Sequence, residues 1–186
     1  SDNALAEQGF MRIGPSVSER AVSTAGVKKG IVKDIFSVFS TCAVATLSGD
    51  TTHNDTTGVF TSTSNLPKIL LDWGTGCTDV DGVIRTGSLT ATFTHQYNKV
   101  GCVMTIVPNT YTVNGVSYSG TIRITRLAGG NTPSFRTEVI NGHCSSANFN
   151  IDWTCDKTIT YTAGYDTPAT PDDDVVSVTG SSSGKN

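Results

Sequence analysis

Charge is scarce in this protein. Asp, Glu, Lys and Arg make up 16% of the 186 residues and the net charge is −3. No basic tract is present, so nothing points to nucleic acid. No apolar run approaches the ~20 residues that a membrane-spanning helix needs. None of the five cysteines falls in CxxC or CxxCH spacing, which removes zinc ribbons, thioredoxin chemistry and c-type haem. No glycine-rich phosphate loop precedes a helix, and no nucleophile elbow occurs. The three histidines, His53, His95 and His143, lack metal-ligand spacing. The sequence reads as a non-enzyme, although catalytic groups also assemble from distant positions.

What is abundant is Thr, Ser, Gly and Val, so polarity comes from hydroxyls. The stretch from Asp79 to Thr125 carries the clearest pattern. Leu89, Ala91 and Phe93 share one parity, and Ser88, Thr90, Thr92 and Thr94 the other. A strand sends successive side chains to opposite faces, so this run has an apolar face and a hydroxyl face. Cys102 to Val107 is nearly all apolar. Asn114-Gly115 stands between Tyr111-Thr112-Val113 and Val116-Ser117-Tyr118, the signature of a two-residue type I′ hairpin. Asn141-Gly142 reads as a second hairpin signal, after alternating Phe135, Thr137 and Val139 and before alternating Ile151, Trp153 and Cys155.

Short strands with regularly spaced turns predict an all-β fold: an antiparallel β-meander/sandwich with an N-terminal arm or short helix. Pattern alone leaves sandwich, barrel and single meander open, and a sandwich-like packing is expected. Residues 1–30 form the arm or helix, 31–180 the β domain, and 181–186 a polar tail. Strands are expected at Ala43 to Leu47, Lys68 to Trp73 and Val175 to Thr179, among others. The sequence starts at Ser1 without an initiator Met or a signal-peptide pattern, as a mature secreted protein would. Cys42, Cys77, Cys102, Cys144 and Cys155 are either buried small hydrophobes or disulfide formers in an oxidising compartment. Cys144 and Cys155 are the favoured pair, because a hairpin would bring them together.

Several motifs taken together resemble an uncharacterised family of secreted β-rich bacterial surface proteins of lipoprotein type. They are LDWGTGCTDVDGVIRTGSL, YNKVGCVMTI, NTYTVNGVSYSGT, WTCDKTITYTAGYDTP and DDDVVSVTGSSSG, with Asp2-Asn3-Ala4 near the start. The resemblance implies an exported, secreted or cell-surface β protein and brings no catalytic residues. It also implies that this sequence is short at its C-terminus against its relatives.

Candidate sites are few. Asp79-Val80-Asp81-Gly82 offers alternate carboxylates, Asp79 and Asp81, that would wrap oxygen ligands round Ca²⁺. The competing reading is an ordinary Asp-Gly turn, and Asp172-Asp173-Asp174 divides in the same way between cation site and solvated loop. No other cofactor is suggested. Tyr111, Tyr118, Trp153, Tyr161 and Tyr165 would make a platform for surface glycans if exposed in a row, and core filling if not. The leading expectation is a non-enzymatic extracellular structural or adhesive protein, a homo-oligomer or polymer that builds filaments by β-strand addition. Leu5, Phe10, Met11, Ile13 and Val17 would dock the N-terminal arm on a neighbouring subunit. A carbohydrate-binding module is the alternative, with a hydrolase behind it.

Overall fold

The computed structural model describes residues 4, 6, 7, 9, 10, 13, 42–79, 82–165 and 174–185. Nine strands account for most of them: β1 (Val44–Ser48), β2 (Lys68–Asp72), β3 (Cys77–Thr78), β4 (Ile84–Phe93), β5 (Val103–Val113), β6 (Val116–Ala128), β7 (Ser134–Ser145), β8 (Asn150–Ala163) and β9 (Val175–Lys185). All belong to one sheet with every pairing antiparallel, in the order β1-β2-β4-β5-β6-β7-β8-β9, and β3 pairs the start of β4. The fold is therefore all-β. Of the three arrangements left open by the pattern, the described strands adopt the single meander, not two stacked sheets.

Period-2 alternation sets the two faces. One row across the sheet runs Ile69, Ala91, Ile106, Ile122, Val139 and Cys155, each opposite the next and each buried. The neighbouring row on the other face runs Lys68, Thr92, Thr105, Arg123, Glu138 and Asp156. A one-residue slip would exchange these rows, so the apolar face holds the register.

Asn114-Gly115 forms the expected tight turn. Their φ values are 47° and 79°, and Val113 pairs with Val116 and Thr112 with Ser117. Asn114 also exchanges hydrogen bonds with β4: its N–H donates to Ile84 O (2.8 Å), and its Oδ1 accepts from Ile84 N (2.9 Å). Asn141-Gly142 is not a hairpin turn. It lies inside β7, where Asn141 has φ 50° and the register to both neighbours shifts. It is a bulge, which adds local twist to a long strand.

Of the expected N-terminal arm or helix, Ala4, Ala6, Glu7, Gly9, Phe10 and Ile13 are described and have helical backbone. Ala6, Phe10 and Ile13 follow i, i+4, i+7 spacing, share one helical face and are buried in the core. The Phe10 ring meets Tyr118 of β6 edge-on at 5.4 Å. Glu7 pairs with Lys157 of β8, and Phe10 reaches Gly142 of β7. The segment thus lies across three strands of its own sheet.

The end of the sequence also departs from expectation. Gly180 to Lys185 is not a loose tail but the second half of β9, paired residue by residue from Lys157↔Gly180 to Asp152↔Lys185. Strand pairing is a backbone property, and the long edge of β8 templates a sequence of Ser and Gly whose side chains carry no strand signal.

Candidate functional site

The end of the sheet near β3 contains a cross-linked polar cluster. Cys42 and Cys77 form a disulfide across a sequence separation of 35, with Cα atoms 6.1 Å apart. Closing a loop of that size stabilises by roughly 3–4 kcal/mol in the chain-entropy picture. The expected Cys144–Cys155 bridge does not form. Cys144 pairs with Ile151 and Cys155 with Val139. Ile151 and Cys155 are four residues apart on β8, about 13 Å, whereas a bridge requires Cα atoms within roughly 7 Å. Cys102, Cys144 and Cys155 are buried free thiols. Burial pushes all three upward in pKa, Cys102 to about 11, which keeps them protonated and unreactive.

Asp79 sits beside the disulfide, and its side chain is 1% exposed. Its Oδ2 accepts from Arg85 Nη1 at 2.8 Å and from Trp73 Nε1 at 3.0 Å. Oδ2 is thus committed to a buried ion pair and an indole, which fits the ordinary Asp-Gly turn better than Asp79 as a Ca²⁺ ligand. The Gly82 N–H donates to Asp79 O (2.9 Å) and the Asp79 N–H to Val83 O (2.9 Å), closing the turn that joins β3 to β4. Asp81 lies outside the described residues, as do Asp172 and Asp173. Among the described residues no group of three or more His, Cys, Asp or Glu could hold a metal ion.

The aromatic residues do not make an exposed platform. Tyr111, Tyr118 and Trp153 are buried, and Tyr161 and Tyr165 pack against the same core. The outward face carries charge instead. Arg123 grips Glu138 through two hydrogen bonds of 2.8 Å. Arg136 grips Asp156 through two of 2.8 and 2.7 Å. The Arg136 hydrogen bonds hold the Asp156 carboxyl below its usual range. The histidines are dispersed: His53 Nδ1 lies 2.9 Å from Thr51 O, His95 Nδ1 2.8 Å from Thr94 Oγ1, and His143 Nδ1 2.8 Å from Asp152 Oδ1 on the exposed face.

The expected docking residues divide. Phe10 and Ile13 are buried in their own subunit, which removes them as intersubunit contacts; Leu5, Met11 and Val17 lie outside the described residues. The longer of the two open edges among the described strands is β9. Its inner edge pairs β8, and its outer edge meets no described strand. Val175, Val176 and Val178 are 54%, 45% and 52% exposed. At the other end of β9 a groove of about 510 Å³ is lined by Asn141, Asp152, Thr154, Ser183 and Lys185, among others.

Two features escaped the sequence reading yet left a trace in it. Asp79 and Arg85 flank an Asp-Gly turn, Arg85 opposite Cys77 and two residues beyond Val83, which faces Asp79, so the two are diagonal neighbours across the hairpin. Arg126 falls on the Ile122–Ile124 parity, an arginine in the apolar register. No helix among the described residues is long and apolar enough to cross a membrane. No family model, curated protein or solved structure matches this protein.

Proposed function

We propose that this is a non-enzymatic extracellular structural or adhesive protein of a bacterial surface, which associates by adding a strand to the outer edge of β9. One observation carries the reading: an eleven-residue strand with a single charge, Lys185, and three exposed valines offers an edge that no described strand pairs. Natural sheets protect such edges with Lys, Pro, bulges or covering segments. The Cys42–Cys77 disulfide suits an oxidising compartment.

The partner that fits is a second copy of β9. At the opposite edge of the sheet β1 has only five residues, so of the two described edges only another β9 offers a strand of equal length. Antiparallel pairing centred on Gly180 places Lys185 opposite Val175, with no like charges facing. This contact is isologous and closes as a dimer, unlike the head-to-tail contact that an N-terminal arm would make.

Sedimentation of the native protein over a concentration series tests the reading. Dimerisation is expected, and Val178→Lys, a change at an exposed edge position, is expected to abolish it without lowering the melting temperature. A native protein that stays monomeric at high concentration overturns strand addition.

A further inference from the structure

Arg126 occupies a position built for an apolar side chain. It follows Ile122 and Ile124 on the buried face of β6 and is 6% exposed. Its Nε and Nη1 are buried and find no hydrogen-bond partner among the described residues. The guanidinium carbon sits 5.2 Å over the ring of Phe135, its cross-strand neighbour on β7. That ring also meets Tyr161 at 6.3 Å and Tyr165 at 6.5 Å, and the two tyrosine rings are 4.9 Å apart. The Tyr165 hydroxyl is a second buried group without a partner among the described residues. A Cβ added at Gly129 would lie 3.6 Å from Val100 Cγ2 and 3.9 Å from Arg126 Nη2, so the 129 backbone passes close to the guanidinium.

A guanidinium cannot shed its proton, so burial cannot neutralise it as it would a lysine. Contact with the Phe135 face offsets part of the lost hydration but satisfies none of the fork's N–H groups. Arg85 shows the ordinary solution in the same molecule, a buried carboxylate 2.8 Å away. Around Arg126 the missing component is an anion.

We propose that Arg126 and Tyr165, floored by Phe135 and Tyr161, form a binding site for a single carboxylate. The fork of a guanidinium matches a carboxylate with two parallel hydrogen bonds. The tyrosine hydroxyl adds a third donor, and the aromatic floor suits an apolar body attached to the carboxyl. One buried cation balances one negative charge, which favours a monocarboxylate over a dianionic phosphate. The carboxylate comes either from a free organic acid or from an acidic side chain of the protein itself. This site is independent of the β9 edge.

Benzoate is the probe. Native protein dialysed into chloride buffer is titrated with benzoate and followed by calorimetry and thermal unfolding, with Arg126→Met alongside. If the site takes a free acid, benzoate binds saturably and raises the native melting temperature, and the variant shows neither effect. If an internal carboxylate fills it, benzoate does nothing. One carboxyl signal then titrates below its ordinary range by NMR in the native protein and returns to that range in Arg126→Met. Should Arg126→Met fail to fold, Tyr165→Phe carries both measurements, with benzoate affinity expected to fall several-fold or the same carboxyl to shift. No benzoate binding, together with carboxyl titrations that are unchanged in the variants, overturns the proposal.

Discussion

Asn114-Gly115 and Asn141-Gly142 place asparagine at nearly the same backbone angle, φ 47° and 50°. At the first the backbone reverses; at the second β7 runs straight on. The difference lies in the neighbours. After Asn114-Gly115 the backbone pairs with the strand it has just left, Val116 opposite Val113. At Asn141-Gly142 it is flanked by β6 on one side and β8 on the other, which pair with residues both before and after the dipeptide. Positive φ at asparagine permits a turn; the availability of partners on both edges decides whether a turn or a bulge results.

The two glycines should respond differently to a methyl group. At Gly142 the backbone angle tolerates alanine, but the new Cβ would lie 2.6 Å from Val139 Cγ1, 2.7 Å from Trp153 O and 3.2 Å from Phe10 Cζ. Gly142→Ala is therefore expected to destabilise most, by about 3 kcal/mol, the upper part of the range for overpacking a core. Limited proteolysis should also show earlier cleavage near Phe10. Chemical denaturation at a stability equal to wild type would show that Phe10 does not pack on β7.

At Gly115 nothing lies within 4 Å of an added Cβ, and only the φ of 79° opposes it. Gly115→Ala is expected to cost about 1–2 kcal/mol, the strain of one left-handed residue. A loss equal to that at Gly142 would mean that the turn, not the bulge, is the tighter constraint.

The smallest effect is expected at Thr110, a β-branched residue in β5 with φ 47°. Thr110→Asn relieves strain because asparagine tolerates this region, with a gain of about 0.5–1 kcal/mol read as a higher denaturant midpoint. A lower midpoint would show that the threonine side chain contributes more than its backbone angle costs.

Strand class and much of the register were legible because the period-2 code is local. Phe135, Val139, Ile151, Trp153 and Cys155 all face the core as their parity requires. Illegible from the sequence was what the pairing partner or the exact register decides. Gly180 to Lys185 looks like a tail until β8 is beside it. Cys144 and Cys155 look close until the β7–β8 turn, closed by Ser146 N–H to Phe149 O, sets a register that places Ile151 opposite Cys144 and Val139 opposite Cys155. Asp79 leaves cation ligand and turn residue both open until Arg85 and Trp73 both donate to its Oδ2. The apolar side chains of Phe10 and Ile13 were visible, but not that Phe10 is received by Tyr118 and Gly142 of the same molecule.

The strictly sequential order of the meander bears on how the molecule is made. From β4 onward each strand lies beside the one just before it, so the contacts that lay down the sheet close only short loops. Assembly can keep pace with a polypeptide delivered from its N-terminus, each strand templating the next at a moving edge. The helical segment at the start is the exception. Its anchors are Tyr118, Gly142 and Lys157, the last 150 residues downstream of Glu7. The first segment delivered is thus among the last to find its complete site, and the core face of β6 to β8 stays uncovered by it until β8 is in place.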